Sequence, residues 1–260
     1  MSSEEKIRLG GMALGNGVLV HGPTSWACAL RLPDGSLKVA SARKRIRSSE
    51  VTNPLLRGPA RLAEVFALLP ELRRRLPEAE LPFQRPGVLV GMAAATGAVK
   101  VVRSSPNLRP AAQELVSGLL ALAPALLALR GGELAAYHGA EHMSIGTYEH
   151  GETATKEHER CGGHLVGPLV ATTAIGNVLA AKAPLHLRGP ARVAASVGAI
   201  AASMEIFGWM VKHPRNPLAR ALSKPGHELQ HRLSTAEPSA EQLEVAEAAL
   251  AACLELEEAA

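Results

Sequence analysis

The chain has 260 residues, a formal net charge of +4 and an aromatic content of only 3%. This length allows one domain or two small ones, and the abundance of alanine and leucine favours mainly helical structure. The three cysteines, Cys28, Cys161 and Cys253, lie far apart and match no disulfide framework, which fits a reducing compartment. Residues 1–6 are polar and lack the apolar core of a signal peptide.

Basic residues are concentrated in the first half of the chain. Residues 1–130 carry 18 Lys and Arg against 9 Asp and Glu, whereas residues 131–260 carry 10 against 15. An Arg-Lys-Arg cluster at residues 43–45 and three arginines at residues 73–75 could contact nucleic acid or anionic lipid headgroups. Neither interleaved aromatic residues nor a nucleic-acid motif accompanies them. We therefore expect a solvated or lipid-facing surface and no nucleic-acid partner.

The first fifty residues are predicted to form a small β-rich element. The stretch at residues 10–20 is apolar and punctuated by glycines. Residues 26–32 and 36–42 flank a Pro-Asp-Gly sequence, which is a typical hairpin turn. We assign this element to residues 1–54.

A helical body is predicted from residue 55 to residue 235, because the period of the apolar residues there becomes helical. It contains three long apolar runs, at residues 115–129, 165–181 and 193–211. Their lengths lie at the lower edge of the roughly 17–25 residues that a transmembrane helix needs. They fit either membrane-spanning helices or the buried helices of a soluble bundle, and their basic flanks favour the membrane.

A C-terminal amphipathic helix is predicted in residues 236–260. Ser239 and Gln242 have the spacing of a capping box, and the helix should run to about Glu258. Its apolar stripe is Leu243, Ala246, Leu250, Cys253 and Leu254. The predicted fold class is therefore α+β, with a small N-terminal β-rich element followed by a mainly helical body that has apolar, membrane-type helices.

The segment from Tyr137 to His142 carries the most compact chemistry in the chain. It reads H-x-x-E-H, the inverted form of a zinc-binding helix motif. In a helix His138 and His142 stand one turn apart on one face, with Glu141 beside them. Two imidazoles can then hold a divalent ion, most simply Zn²⁺, while the Glu141 carboxylate takes a proton from water.

A catalytic zinc site needs a third protein ligand, and two residues are preferred for it. Glu205 stands alone in the third apolar run, where an acid is costly unless it is paired, protonated or bound to a metal. His158 begins a second cluster of ligand-type residues. The additional candidates in this cluster are Cys161, His164 and Arg160. The alternative is a turn with exposed histidines and a buried cysteine.

Several motifs resemble the YqhQ family, in order over nearly the whole chain. They are Gly10-Gly11, Gly17-Val18, Tyr137 to His142, Arg160-Cys161-Gly162, Asn216-Pro217-Leu218, Pro225-Gly226, Leu229-Gln230, Glu237-Pro238 and Gln242 to Ala246. That family is bacterial, has no known biochemical function and has been described as a predicted metal-dependent enzyme. The resemblance implies membrane-embedded helices around the Gly-Ala-Glu-His segment.

Three positions depart from the pattern of that family. It usually has Glu where Asn16 stands, Lys where Met143 stands and a hydroxyl residue where Gly163 stands. We expect Asn16 to remove a carboxylate ligand and Met143 to remove a cation near the site.

The leading hypothesis is a metal-dependent hydrolase of the bacterial inner membrane or of its cytoplasmic face. In it His138 and His142 bind the ion, Glu141 acts as general base, and Glu205 or His158 completes the ligand set. The alternative is a non-catalytic membrane or scaffold protein, whose His/Glu cluster is a structural network. A cytoplasmic location and a homo-oligomer are both compatible with the sequence, and the motif names no substrate.

Overall fold

The computed structural model describes residues 6–129 and 132–259, so the polar segment at residues 1–5 lies outside it. Within that part of the chain a four-stranded sheet is followed by a mainly helical body, which confirms the predicted α+β class. The strands are β1 (Gly10–Leu14), β2 (Gly17–His21), β3 (Ser25–Arg31) and β4 (Leu37–Arg43). The helices are α1 (Pro54–Arg75), α2 (Pro86–Ser104), α3 (Pro110–Leu129), α4 (Gly132–His150), α5 (Val166–Ala181), α6 (Arg188–Lys212), α7 (Pro217–Leu229) and α8 (Ala240–Glu258).

The sheet is antiparallel, with the strands in the order β1-β2-β3-β4. The predicted hairpin between β3 and β4 is confirmed. Its turn places Gly35 at a φ of 81°, a left-handed conformation that favours glycine, and the Asp34 carboxylate accepts a hydrogen bond from the backbone N–H of Ser36 at 2.9 Å.

The strands β1 to β3 contribute side chains to two cores, one on each face of the sheet, since alternate residues of a strand point to opposite sides. Val18, Val20 and Ala27 lie in a core with α4 and α8. Leu19 and Trp26 lie in a second core with the C-terminal half of α1. The N-terminal strands and the C-terminal helix therefore share one hydrophobic core around α4.

The C-terminal helix α8 begins at the predicted capping box. The Ser239 hydroxyl accepts a hydrogen bond from the Gln242 N–H at 3.3 Å, and the Gln242 side chain accepts one from the Ser239 N–H at 2.8 Å. The buried stripe agrees with the predicted one at Ala246, Leu250 and Cys253 and also contains Val245 and Ala249. Leu243 and Leu254 are half-buried.

The helical body contains a bundle of α2, α3, α5 and α6. In the part of the chain that the structure describes, three segments are long and apolar enough to cross a membrane: Pro86–Ser104, Gly162–Ala181 and Leu185–Lys212. The last two contain the apolar runs predicted at residues 165–181 and 193–211. The segment Pro86–Ser104 was not predicted, and the run at residues 115–129 passes the same test only when α3 and α4 are taken together as one bent pair.

The side chains of these helices are mostly exposed. In Pro86–Ser104 only 11% of the most apolar stretch is buried inside the protein. In each of the other two segments 22% of it is buried. Such broad apolar exposure is unusual for a protein in water and is what a bilayer would cover.

A buried polar cluster joins three helices of the bundle. The Glu114 carboxylate of α3 accepts hydrogen bonds at 2.8 Å from Arg103 of α2 and from Asn177 of α5. Polar contacts of this kind hold apolar helices together and fix which faces meet.

Not all of the predicted basic surface is exposed. Lys44, the centre of the Arg-Lys-Arg cluster, is buried in an ion pair with Glu64 of α1, and it also contacts the His21 ring at 3.0 Å. Arg45, in contrast, is largely exposed. The cluster at residues 43–45 therefore anchors α1 to the sheet through its central lysine.

Candidate metal centre

Helix α4 carries the H-x-x-E-H motif through the centre of the molecule. Leu134, Ala140 and Ile145 bury one side of it against the sheet and α8. The opposite side faces the turn that leads into α5 and the π-helical turn Gln230–Ser234 that follows α7. This position explains why Glu141 and His142 are buried although both are polar.

Three side chains bring ligand atoms together at this position. One atom each from His138, His142 and Cys161 lies within 4.8 Å of the other two. Among the described residues they form the only such group of three or more His, Cys, Asp or Glu side chains. Cys161 lies 19 residues beyond His142 in the sequence, and the polypeptide between them returns it to the face of α4.

Backbone carbonyls orient both histidines of the group. The Nδ1–H of His138 donates to the Ser234 carbonyl at 2.7 Å, and the Nδ1–H of His142 donates to the Lys156 carbonyl at 2.6 Å. These bonds fix the tautomer and leave each Nε2 with a free lone pair. Metal-binding histidines are commonly held in this way by a partner of the other ring nitrogen.

The cysteine completes the group at a distance suited to zinc. The Cys161 Sγ lies 3.6 Å from the His138 Nε2. Two ligands of a tetrahedral zinc ion at the usual Zn–S and Zn–N distances are about 3.5 Å apart. The Gly163 N–H donates to the same sulfur at 3.3 Å and so favours its thiolate form.

Burial controls the protonation of these groups. It lowers the pKa of His142 to about 2, with the nearby His138 adding to the effect, and it also lowers the pKa of His138. Both imidazoles are therefore neutral at pH 7, as metal ligands must be. Burial raises the pKa of the Cys161 thiol to about 12, so a cation would have to stabilise its thiolate.

Glu141 is enclosed between α4 and strand β1. A Cβ at Gly11 would overlap its carboxylate, so any other residue at that position would force the acid to move. Burial raises the pKa of Glu141 to about 8, and its charge acts on the Cys161 thiol. A carboxyl group with a pKa in this range can both accept and release a proton near neutral pH.

Two further glycines allow the segments around the centre to pack closely. A Cβ at Gly139 would overlap the Ala236 carbonyl oxygen, and one at Gly226 would lie 2.6 Å from the Cα of His164. With Gly11, these are glycines of the motifs that resemble the YqhQ family. Their common role is to let the segment around Ala236, strand β1 and the turn before α5 approach the motif.

His158 is a neighbour of the three-ligand group and not a member of it. Its ring centroid lies 5.5 Å from that of His142, and its Nε2–H donates to the Glu149 carboxylate at 3.1 Å. Arg160 forms an ion pair with the same carboxylate. Glu149 thus holds both His158 and Arg160 at the edge of the centre.

His164 is close to the centre, but both of its ring nitrogens are occupied. Its Nδ1–H donates to the Ser223 carbonyl at 3.0 Å, and its Nε2 accepts from the Gln230 amide at 3.0 Å. Gln230 is fully buried and also accepts a hydrogen bond from the His158 N–H at 2.8 Å. His164 is therefore a structural contact of the π-helical turn.

The structure corrects the expectation for Glu205. Its carboxylate forms an ion pair with Arg57 of α1 and is not part of the three-ligand group. The acid in the apolar run is thus stabilised by a partner 148 residues away. Arg57 and Glu205 connect α1 to α6.

Asn16 has a structural role in the fold. Asn16 lies in the turn between β1 and β2, where its side chain donates to the Glu78 carbonyl and accepts from the Glu80 N–H, both at 3.0 Å. It fixes the segment before α2 to the sheet.

Three contributors were missed by sequence reasoning. Glu149 follows His142 by seven residues, two helical turns along the same face, and this spacing could have identified it. No comparable spacing identified Gln230, which was noted only as part of a motif that resembles the family. Gly11 was noted only as part of a motif, because its contact with Glu141 depends on the fold.

The fold and the site together define an α+β protein with apolar, membrane-type helices and a His/Cys group in its helical body. Residues 133–256 match the model of a family described as a protein of unknown function (DUF1385). The matched part runs from α4 to α8 and contains all three side chains of the candidate metal centre. Neither a curated protein nor a solved structure matches the chain.

Proposed function

We propose that the chain is a membrane-embedded, metal-dependent hydrolase of the YqhQ-like family, with His138, His142 and Cys161 as ligands of Zn²⁺ or a similar divalent ion. The observation that carries this proposal is the convergence of three ligand atoms on α4 and the turn before α5. Three protein ligands are the number that catalytic zinc sites use, with a further position for water or substrate. The backbone carbonyls that accept hydrogen bonds from the two Nδ1–H groups orient the histidines, as partners outside the ligand set commonly do in metal sites.

The chemistry follows from the residues around the centre. A bound zinc ion supplies Lewis-acid chemistry, polarising a carbonyl or phosphoryl oxygen and making water more acidic. Glu141 acts as the general base that takes the proton from water and then passes it to the leaving group. A nearby cation would lower the pKa of Glu141 below the value that burial alone gives.

A bacterial inner-membrane location is supported by the exposed apolar helices and by helix α1. The exposed face of α1 carries Leu55, Leu62 and Phe66, which are 70%, 43% and 56% exposed. Its exposed charges, Arg61 and the arginines at residues 73–75, are all basic. Apolar side chains flanked by basic residues are typical of a helix that lies in the headgroup region of anionic membranes.

A cytoplasmic orientation of the metal centre is supported by the three free cysteines, which persist in a reducing compartment.

The test is zinc content together with hydrolysis. We expect close to one zinc per chain in purified wild type and less than about 0.2 in His142→Ala and Cys161→Ala, since each loses a ligand. Glu141→Gln should keep the metal and lose at least about 100-fold in the hydrolysis of a fluorogenic ester and amide panel. His186→Ala, at an exposed position far along the chain from the motif, is the matched control.

The competing function is a non-catalytic scaffold. It is favoured by the hydrogen-bonded network, in which Cys161 could donate to His138 without any metal. Absence of zinc from wild type, or a wild type that hydrolyses no member of the panel faster than Glu141→Gln does, would reject the hydrolase and leave the scaffold.

A further inference from the structure

A cavity of about 560 Å³ adjoins the candidate metal centre. It lies between the C-terminal end of α4 and the segment that follows it on one side, and the ends of α6 and α7 on the other. His158 lines the cavity, and its ring is 5.5 Å from that of His142. A molecule in the cavity would thus contact His158, which lies next to the proposed metal ligand His142. Its volume falls within the range of small-molecule sites.

The two sides of the cavity differ in chemistry. Phe207, Met210 and Val211 of α6 form an apolar wall, to which Ala219 of α7 contributes. The opposite wall is polar and contains His158 and three glutamates, at positions 152, 157 and 159. A ligand that contacts both walls must itself have an apolar and a polar part.

The apolar wall continues into the membrane-type surface. Phe207, Met210 and Val211 belong to the segment Leu185–Lys212, which is long and apolar enough to cross a membrane. Because α6 ends at Lys212, these three residues lie at the end of the span nearest the metal centre. An apolar chain can therefore pass from the bilayer along α6 to the cavity without crossing water.

The charges of the residues that line the cavity restrict which amphiphiles can bind there. Among the described residues no Lys or Arg lines the cavity, whereas three glutamates do. Phosphate and carboxylate groups are normally bound by Arg, Lys or helix N-termini, and a wall with acids disfavours them. The polar part of the ligand should therefore be uncharged or cationic.

We propose that this cavity binds a membrane-derived amphiphile whose polar end is neutral or cationic, such as an acyl ester, an acyl amide or an apolar peptide with a free amine. The proposal rests on the proposed hydrolase function for the fate of the ligand, because the polar end would lie beside the metal centre. Binding itself depends only on the cavity.

The test uses photo-crosslinking of the full-length chain in detergent. The probe is a monoacylglycerol with a diazirine in its acyl chain, and competitors are the matching unlabelled monoacylglycerol, alkylamine and alkyl phosphate. Labelling should map to peptides that contain residues 207–211 and 219–223. The neutral and cationic competitors should reduce it at least about 10-fold more effectively than the phosphate.

Two variants fill the cavity from different helices, α7 and α6. Ala219→Phe and Val211→Phe should each reduce labelling at least about 10-fold. Ala221→Phe, exposed on the same helix as Ala219, and Ile206→Phe, outside the cavity lining, should label like wild type. If Ala219→Phe elutes as aggregate on size exclusion, Val211→Phe decides the result.

The outcomes separate the two proposals. Undiminished labelling in both cavity-filling variants, or stronger competition by the alkyl phosphate than by the other two, would overturn the amphiphile site while leaving the zinc content as it is. Loss of zinc from His142→Ala alongside normal labelling supports both proposals. Wild type that labels in the cavity but contains no zinc rejects the hydrolase and retains the binding site.

Discussion

Single residues at the candidate metal centre are positioned by partners from distant parts of the chain. His138 is oriented by a carbonyl 96 residues away and His142 by one 14 residues away. Glu141 fits because Gly11 has no side chain. The motif supplies the two histidine ligands and Glu141, and the chain around Ser234, the turn before α5 and strand β1 fix the directions of these side chains. Substitutions outside the motif should therefore impair the centre.

Gly139→Ala, a substitution within the motif, tests how closely the segment around Ala236 packs against it. A Cβ at this position would overlap the Ala236 carbonyl oxygen, which is backbone and cannot rotate away. We expect a loss of about 1–3 kcal/mol of folding free energy, the usual range for overpacking. Gly97→Ala, in the interior of α2 with no atom within 4 Å of the added Cβ, is the control and should be neutral or slightly stabilising. Thermal unfolding in detergent measures both, and equal melting temperatures would refute the close packing.

The ligand set was only partly predictable from the sequence. The spacing of His138, Glu141 and His142 follows from helix geometry and could be read directly. The choice among Glu205, His158 and Cys161 could not, because it depends on contacts between distant elements. Glu205 is held by Arg57, and Glu149 holds His158, so neither side chain is free. Local sequence carries no record of the pairing between Arg57 and Glu205, and the spacing of Glu149 indicates its helix face but not its bond to His158.

At the scale of elements, α1 has two different environments. Its C-terminal half packs on the sheet through Leu68 and Leu72, and its N-terminal half contacts α6 at Gly58 and Arg57. The face between these contacts is apolar and exposed. Such a face fits a helix lying along the membrane surface on the side of the metal centre.

A spin label at Phe66 tests this placement. In nanodiscs containing anionic lipid, Phe66→Cys carrying a nitroxide should be more accessible to oxygen than to a water-soluble nickel complex. Glu247→Cys, at an exposed position of α8, is the control and should show the reverse order. Both are made in a Cys161→Ala background, because Cys28 and Cys253 are buried. Equal accessibility profiles at the two sites would mean that α1 faces water.

The sequence predicted some elements better than others, for physical reasons. The capping box at Ser239 and the turn at residues 33–35 are local, so the start of α8 and the β3–β4 hairpin were correctly placed. Helix α2 was missed as a membrane-type segment because glycines and Lys100 interrupt its apolar character. Its exposure becomes evident only when the bundle is assembled.

At the scale of the molecule, the bundle separates two ends. Helix α5 begins at the metal centre and extends roughly 24 Å away from it over its 16 residues. The chain returns along α6, so the loop before α6 lies at the far end, as does the α2–α3 loop. The sheet, α4 and α8 remain together at the near end.

Labelling from opposite sides of the membrane tests this arrangement. Asn107→Cys and Leu185→Cys, both in far-end loops, should react with a membrane-impermeant maleimide in intact cells from which the outer membrane has been removed. Glu247→Cys should react only in inverted vesicles, where the cytoplasmic face is outward. Reaction of all three from one side would show that the apolar helices do not cross the membrane.

Cobalt binding measures the central claim most directly. The metal-depleted chain, titrated with Co²⁺, should bind one ion and develop thiolate-to-metal charge-transfer absorption, because Cys161 is a ligand. That absorption should vanish in Cys161→Ser and weaken sharply in His142→Ala, while His164→Gln retains it, since His164 only contacts Gln230 and Ser223. A wild-type chain that binds no cobalt, or a Cys161→Ser variant with an unchanged spectrum, would contradict the assignment of this centre.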